Sequence, residues 1–492
     1  MKRTIALALC LLMLLAMVVG CANNGDNPAD GTTTPSASTT PGNNTDTPDT
    51  SSDQFVPDDI DPNTNLGGRT VTFLYWEDSE NVEFFAEDQT GEGVNDAVYY
   101  RNLTIEDRLK VKLAFVPSPG KYEKQDEFVS RVNADITSNA CEYDVVAAYS
   151  MVIATLAYKG MTHDLTQYDV LNFDKPWWPD NLLNESIIDG KLFFASGDIS
   201  TNTLYMMYCC FFNNDMLDRY NLESPYDLVA RNEWTLDKMI EMSQNIYEDD
   251  GNGTVDKADK FAFTISSSVH LDPFYYGAGL KTMDKDADGL VTVSADLTSE
   301  KAVNLVNKVK SYLNEGNYAF TNKDIFVEGR SLFRYDRVQI ASKDLKDVEF
   351  FGIVPVPKYD SAQENYSTIL GFPYSLYGIS KGSRNEDDAA VTLECMASEG
   401  YRQVTPVVFE EGMKAKYAHD STVAQMYDIL RETLSFDIGR LFTMSFQKIT
   451  FQKFREAVGD GAQDWSTMMK TQTKMLDRLV GKFNDNFSGM EG

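Results

Sequence analysis

Apolar and polar positions along the chain follow two periods, which predict strands and helices in turn. Residues 69–76 form a β-branched and aromatic run that ends at acidic residues, and such a run predicts a first strand. An amphipathic helix is predicted over 95–110 and a second strand over 111–116. A helix over 126–137 and a buried strand over 143–148 follow. This alternation of strand and helix predicts a parallel sheet.

Later elements are predicted at longer spacings. They are an apolar run over 203–212, helices over 234–247 and 295–312, strands over 348–354 and 374–379, and tail helices over 387–398, 423–434 and 465–483. No internal repeat interrupts this order. The pattern therefore predicts an α/β protein whose last hundred residues are mostly helical.

The first twenty residues have the pattern of an export signal. Lys2 and Arg3 precede an apolar stretch that stops at Cys21, which is short of the roughly 20 apolar residues needed to cross a bilayer. Small residues before a cysteine, with polar chain directly after it, resemble a lipobox. We therefore expect residues 1–20 to be a lipoprotein signal peptide and Cys21 to carry acyl chains such as palmitate. The alternative is an ordinary signal peptide with a chance cysteine.

The next segment, 21–66, has the composition of a disordered tether. It consists mainly of Asn, Asp, Gly, Thr, Pro and Ser, and it contains no Lys or Arg. A flexible coil of this length spans roughly 35–40 Å. The predicted location is thus the extracellular face of the cell membrane, with the folded part of the chain held off the surface by a lipid anchor.

Composition and charge narrow the classes of function. The chain is 42% hydrophobic and 12% aromatic, which indicates large apolar cores. Its formal net charge is −31, and nucleic acid is excluded as a partner because phosphate binding needs clustered cations. The three histidines are scattered singly, without other ligands at zinc spacing, so a zinc enzyme is not expected.

Several short segments, taken in their order, resemble the extracellular solute-binding proteins of ABC importers, and in particular their sugar-binding members. The segments that carry this resemblance are 66–69, 95–102, 143–146, 197–200, 212–217, 233–239 and 377–381. The resemblance implies a two-lobed, periplasmic-binding-protein-like α/β fold, in which each lobe is a mostly parallel sheet flanked by helices and a hinge joins the lobes. Lobe one is then expected over 67–197 and 376–405, and lobe two over 198–375 and 406–492.

The resemblance also implies a function. The chain is expected to capture a small solute, a carbohydrate or oligosaccharide above all, in the cleft between the lobes and to deliver it to the permease subunits of an ABC transporter. It is expected to act as a monomer, not to be an enzyme and to require no cofactor. Two alternatives stay open: a surface glycoside hydrolase or lyase that uses a carboxylate pair such as Glu77 and Asp78, and a ligand-sensing lipoprotein without a transport role.

Candidate ligand-binding residues follow from the strand ends and from the resemblance. Ligands of open α/β sheets bind beyond the carboxyl ends of the strands, which indicates Trp76, Glu77 and Tyr149. For Trp76 the alternative is ordinary packing at the sheet edge. The resemblance adds three residues: Asp198 at the lobe crossing, Tyr275 where sugar-binding relatives place aromatic contacts, and Arg337 at the end of a strand that faces the cleft.

An acidic loop over 248–259 resembles a calcium-binding EF-hand loop. Its predicted ligands for a structural Ca²⁺ are Glu248, Asp250, Asn252, the Thr254 carbonyl, Asp256 and Asp259. The loop departs from the usual pattern, because Glu replaces Asp at its start and Asp replaces Glu at its end, so a solvated acidic turn is the alternative. For a second acidic loop, 284–289, a β-hairpin turn is preferred.

Overall fold

The computed structural model describes residues 56–316, 318–409, 421–459 and 464–490. The predicted signal peptide and Cys21 lie outside these residues. Among the described helices, none combines the length and the apolar composition that crossing a membrane requires. The strands are β1 (Thr70–Trp76), β2 (Lys112–Ser118), β3 (Val145–Tyr149), β4 (Tyr208–Asn213), β5 (Phe261–Ile265), β6 (Met283–Lys285), β7 (Val291–Val293), β8 (Ala319–Thr321), β9 (Ser331–Arg337), β10 (Phe351–Val354) and β11 (Ser375–Ile379).

The α-helices are distributed along the whole described chain. They are α1 (Gly93–Leu109), α2 (Gln125–Ser138), α3 (Ser150–Tyr158), α4 (Asp180–Ser186), α5 (Asn202–Tyr205), α6 (Asn214–Tyr220), α7 (Pro225–Ala230), α8 (Leu236–Met242), α9 (Asp272–Gly277), α10 (Glu300–Asn314), α11 (Asp324–Val327), α12 (Glu386–Glu399), α13 (Thr405–Val407), α14 (Ser421–Glu432), α15 (Ile438–Leu441), α16 (Ile449–Val458) and α17 (Trp465–Ser488). Each of the five strands and seven helices predicted from the sequence pattern overlaps an element of its predicted type, and the remaining elements are not among those predictions.

Lobe one is built on a four-stranded sheet with the strand order β11-β3-β1-β2. β1 is parallel to β2 and β3, and β11 joins as an antiparallel edge strand. Successive residues of β1 point to opposite faces of the sheet and pack in different cores. Phe73 lies in one apolar cluster with Ile105 of α1, and Leu74 lies in the other with Phe128 of α2. The sheet is thus covered by helices on both faces, as parallel sheets require.

Lobe two is built on a five-stranded sheet with the order β10-β4-β9-β5-β8. β9 and β8 are parallel to β5, whereas β4 is antiparallel to both β9 and β10. β10, β9, β5 and β8 thus run in one direction and only β4 opposes them, so the expected mostly parallel sheet is confirmed for this lobe as well. The chain enters the lobe through β4 in the direction opposite to β5 and β9, and antiparallel neighbours need no crossover helix.

Two crossing segments run side by side between the lobes. On the side of lobe one, Ala195 and Tyr377 exchange backbone hydrogen bonds of 2.9 and 2.8 Å. On the side of lobe two, the Gly371 amide donates to the Met206 carbonyl at 2.7 Å. A paired, two-stranded crossing is a geometry that allows the lobes to rotate about it. The exact lobe boundaries stay a prediction.

The end of the predicted tether is folded onto lobe one. Ile60 is 5% exposed, and the Asp58 carboxylate accepts hydrogen bonds from Arg108 at 2.7 Å and from Arg402 at 2.9 Å. Burial alone would raise the pKa of the Asp58 carboxyl, but hydrogen bonds from Arg108, Ser398 and Arg402 hold it well below its usual range. The prediction of a tether up to residue 66 is therefore wrong for 56–66, because an apolar side chain and a clamped carboxylate attach this stretch to the body.

Candidate functional site

The carboxyl edge of the lobe one sheet places Trp76 beside Tyr149. The two rings meet edge to face with their centroids 5.3 Å apart, and their side chains are only 2% and 7% exposed. The Trp76 indole N–H donates to the Ser375 hydroxyl at 2.7 Å, and that hydroxyl donates to the buried Glu83 carboxylate, also at 2.7 Å. Gly120 closes over the ring, since a Cβ at this position would lie 2.6 Å from the Cβ of Trp76. Trp76 is therefore enclosed by its own chain, and Tyr149 covers it.

The edge of the lobe two sheet that faces lobe one contains Tyr208 and Arg337. Tyr208 is the first residue of β4, Arg337 is the last residue of β9, and the two are paired across these antiparallel strands. Tyr208 is 2% exposed and packs edge to face on His270 at 5.5 Å. The Arg337 side chain is 19% exposed, and a Cβ at Gly371 would lie 2.7 Å from its Cδ. Burial raises the pKa of Tyr149, and Arg440 and Arg337 act in the opposite direction. The charge of Arg337, at the edge of lobe two, thus acts on the pKa of Tyr149, which belongs to lobe one.

Polar side chains connect the two edges directly. Gln339, just after β9, donates to the Glu80 carboxylate at 3.1 Å and accepts from the Asn81 amide at 3.3 Å. Lys343 donates to the Glu80 backbone carbonyl at 3.1 Å. Because Glu80 and Asn81 follow β1, these bonds hold the ends of β1 and β9 close together, and this junction between the two lobes is called the cleft below.

Beside this cleft, a buried carboxylate joins the helical tail to lobe two. Asp272, which is 2% exposed, pairs with Arg440 at 2.5 Å and with Arg455 at 2.6 Å. The Arg440 guanidinium lies over the Phe372 ring, 3.7 Å from its centroid. No local pattern in the sequence marks these residues, since Asp272 and Arg440 are 168 positions apart.

Three of the six predicted ligand-binding residues lie elsewhere, namely Tyr275, Glu77 and Asp198, the last of which lies in a cavity of its own. Tyr275 is 2% exposed and packs against Phe454 and Trp465, and its hydroxyl donates to the Lys281 carbonyl at 3.2 Å. Its ring belongs to the helical core of lobe two. Glu77 is exposed at the edge of lobe one, where its backbone amide donates to the Ser118 carbonyl at 3.0 Å. The structure thus brings Trp76, Tyr149 and Arg337 together at the cleft. The sequence reasoning missed Tyr208, Glu80, Gln339 and Arg440.

Comparison with known proteins assigns the fold to a family. A family model described as bacterial extracellular solute-binding protein matches residues 106–403. The chain belongs to this family. No curated protein matches the chain in sequence.

Solved structures of solute-binding proteins share the fold at low sequence identity. A cyclic α-maltosyl-1,6-maltose binding protein from Arthrobacter globiformis is 15% identical with a TM-score of 0.57, and the match covers 85% of this chain and all of that one. A cyclo/maltodextrin-binding protein in complex with maltotetraose is 12% identical with a TM-score of 0.53 and covers 86% and 98%. The maltose-binding periplasmic protein MalE from Listeria monocytogenes, in complex with maltose, is 14% identical with a TM-score of 0.52 and covers 86% and 99%. These similarities confirm the two-lobed fold of this solute-binding protein.

Asp198 lies in a separate cavity at the lobe crossing. The cavity has a volume of about 490 Å³ and is lined by Trp177, Tyr401 and Arg431 among others. The Arg431 guanidinium is 3.4 Å from the Asp198 carboxylate, and burial raises the pKa of Asp198 to about 6. The Asp198 backbone carbonyl is in tight contact with Gly400, where a Cβ would lie 2.1 Å away. Asp198 thus occupies the crossing rather than the cleft of Trp76 and Tyr149.

The acidic loop of this solute-binding protein uses Glu248 differently from the prediction. Its carboxylate pairs with Arg219 at 2.8 Å and Lys260 at 2.6 Å, and it accepts from the Tyr220 hydroxyl at 2.7 Å. These cations already compensate its charge and speak against Glu248 as a calcium ligand, which stays a prediction.

A different set of carboxylates in this loop comes close together. Oxygens of Asp249, Asp250 and Asp259 lie within 4.8 Å of one another. Asn252, Thr254 and Asp256 stay predicted ligands. The second acidic loop connects β6 and β7, which pair antiparallel, so the predicted hairpin is confirmed.

If calcium occupies this loop, it should stabilise the fold. A ligand present at 100 times its dissociation constant adds about 2.7 kcal/mol when it binds only the native state. We expect the melting temperature to rise with calcium and to fall with chelator, and Asp250→Ala to remove the difference. Asp288→Ala, in the exposed turn between β6 and β7, is the matched control and should keep it. Equal melting temperatures of the parent protein in calcium and in chelator would identify the loop as a solvated turn.

Proposed function

We propose that this chain captures a carbohydrate in the cleft between its lobes and delivers it to an ABC permease. In this proposal a lipid on Cys21 holds the protein at the outer surface of the membrane. The observation that carries the proposal is the meeting of two sheet edges, where Tyr149 of lobe one faces Tyr208 and Arg337 of lobe two. Closure of the lobes around a solute then changes the surroundings of both tyrosines.

Relatives with the same fold support a sugar as the solute. The three structures named above are binding proteins for a cyclic maltosyl-maltose, for maltodextrins and for maltose. Aromatic rings and charged hydrogen-bonding groups at one place also suit sugars, because sugar C–H faces pack on rings while hydroxyls donate to and accept from polar groups.

The hydrolase alternative has less support. The carboxylate pair named as an example for it is Glu77 and Asp78, but the Asp78 carboxylate accepts hydrogen bonds from the backbone amides of Gly120 and Lys121 at 3.0 and 3.1 Å. A carboxylate that holds a loop closed in this way is poorly placed to act on a sugar. Family membership also favours binding without turnover. A ligand-sensing lipoprotein without a permease would use the same cleft.

Titration of the purified protein with neutral and acidic oligosaccharides, followed by calorimetry and tryptophan fluorescence, tests the proposal. We expect saturable binding and no change in the sugar. Tyr149→Phe removes one hydroxyl from the cleft and should weaken binding by the worth of a hydrogen bond, about 0.5–1.5 kcal/mol.

The matched control is Tyr275→Phe. It removes an equivalent hydroxyl from the core of lobe two, where the partner is the Lys281 carbonyl, and it should leave the affinity unchanged. Release of shorter sugars during the titration would favour the hydrolase. Equal weakening by both variants would place the binding site away from the lobe one edge.

A further inference from the structure

Arg337 carries a charge that the protein itself leaves without a matching partner. Within the described residues, its Nε is buried and has no hydrogen-bond partner, and its Nη1 has only the Met206 sulfur, 3.6 Å away. Buried polar atoms in proteins are nearly always bonded, and buried cations are paired. A guanidinium with this environment at the edge of a binding cleft points to a group that arrives with the ligand.

The nearest carboxylate, Asp336, is already used by another arginine. One of its oxygens is 3.9 Å from the Arg337 Nε, which is too long for a hydrogen bond. The other oxygen accepts from both Nη2 and Nε of Arg334, at 2.6 and 3.2 Å, and both of these side chains are almost fully buried. Asp336 is therefore the counter-ion of Arg334.

The other buried arginines on this side of lobe two and its tail have carboxylate partners of their own. Arg334 pairs with Asp336, and Arg440 and Arg455 both pair with Asp272. Asp344 lies 3.6 Å from Arg334 and is 34% exposed. A fourth carboxylate, Asp437, is 2% exposed and accepts a hydrogen bond from the Arg440 backbone amide at 2.7 Å. The four arginines therefore face four carboxylates, and Arg337 is the one whose guanidinium has no hydrogen bond to any of them.

The neighbouring histidine does not change this balance. His270 lies 3.6 Å from Asp336, and burial lowers its pKa to about 4. At neutral pH it carries no charge, so it adds no cation beside Arg337. A largely buried guanidinium without a hydrogen-bonded counter-ion favours a ligand that brings an anionic group to it.

We propose that the cleft takes an acidic saccharide, one that carries a carboxylate such as a uronic acid, and that Arg337 binds this carboxylate. The inference rests on the proposed function, since it specifies the class of sugar. Nε and one Nη of a guanidinium form a planar fork that matches the two oxygens of a carboxylate, and such charge-assisted pairs are stronger than bonds to neutral hydroxyls. The bound carboxylate supplies the partner that Nε lacks.

The test compares matched acidic and neutral sugars. The probes are di- and trisaccharides of galacturonate, glucuronate and mannuronate, each beside the neutral sugar with the same linkage, titrated calorimetrically into the parent protein. We expect at least one acidic member to bind about tenfold or more tightly than its neutral counterpart, the effect of a hydrogen bond to a charged group. Arg337→Gln should remove this preference. Arg337→Lys, which keeps the charge but loses the fork, should retain only part of it.

Arg231→Gln is the control, because Arg231 is an exposed arginine of lobe two that pairs with Glu223 and Glu233. It should leave the acidic preference intact. Equal or tighter binding of the neutral sugars to the parent protein would overturn this inference and leave the proposed function standing. Failure of every probe, acidic and neutral, would contradict the proposed function itself. If Arg337→Gln does not fold, the affinities of the parent protein for the acidic and the neutral sugars still test the inference.

Discussion

Replacing Trp76 with alanine is expected to lower the free energy of unfolding by about 3–5 kcal/mol, the usual result of truncating a tryptophan in a packed core. The side chain is 2% exposed, it packs on Tyr149, and its indole N–H bonds to Ser375. The variant loses all three contacts and leaves a cavity at the edge of the sheet. Denaturant unfolding followed by circular dichroism measures the difference.

An exposed aromatic residue provides the control for this measurement. Tyr100 lies on α1 and is 51% exposed, so Tyr100→Ala should change the free energy of unfolding by no more than about 0.5 kcal/mol. The sequence alone indicates Trp76 as a ligand-binding residue, with ordinary packing at the sheet edge as the alternative. A direct role of Trp76 in ligand binding would be supported if Trp76→Ala abolished sugar binding while it lowered the free energy of unfolding by less than about 1 kcal/mol, far below the loss expected for a core tryptophan.

Loss of the Asp272 carboxylate should be about as damaging. Asp272→Ala leaves Arg440 and Arg455 without their counter-ion, and both side chains are largely buried, 8% and 12% exposed. Removing one partner of a buried ion pair typically costs about 3–5 kcal/mol, because the remaining charge is neither solvated nor paired. Thermal and denaturant unfolding of the purified variant measure this loss.

A surface carboxylate is the matched control for Asp272. Asp237 is 63% exposed and pairs with Lys308 at 2.6 Å. Exposed pairs are worth about 0–1 kcal/mol, so Asp237→Ala should be nearly silent. Similar small losses for both variants would mean that water reaches Arg440 and Arg455 once the carboxylate is gone.

The sequence predicted the elements of lobe one closely, because each strand there is a short apolar run followed by an amphipathic helix. The first strand was predicted over 69–76 and is found at Thr70–Trp76. The helix predicted over 234–247 is shorter, Leu236–Met242. Trp234 is held outside it by a hydrogen bond to the Pro355 carbonyl, and Asn245 has a φ of 63°, which a helix does not allow. The hydrogen bond of Trp234 is a tertiary contact and the φ of Asn245 is a local backbone conformation. Neither leaves a trace in the periodicity of apolar residues along the sequence.

From the sequence, a residue of the site could be predicted only where its position at the end of a strand places it there. Trp76 and Tyr149 are found at the edge because they end parallel strands. Which way a ring faces was not predictable, and Tyr275 shows this: an aromatic cluster in the sequence is equally compatible with a groove and with a helical core. The pairs that surround the cleft, such as Asp272 with Arg440, join residues far apart in the chain. Only the folded arrangement shows them.

The hydrogen bonds that Arg108 and Arg402 donate to the Asp58 carboxylate determine where a force on the preceding chain would reach the folded protein. Arg108 and Arg402, which hold the carboxylate, both belong to lobe one, and Arg402 also binds the Val56 carbonyl at 3.0 Å. A pull on the chain ahead of Val56, such as the proposed lipid anchor would exert, would therefore be borne by α1 and by the π-helix Gly400–Val404 that follows α12. Gly400, in the same segment as Arg402, contacts the Asp198 carbonyl at the lobe crossing. Tension on the proposed anchor would therefore enter through lobe one and reach the crossing by way of Gly400.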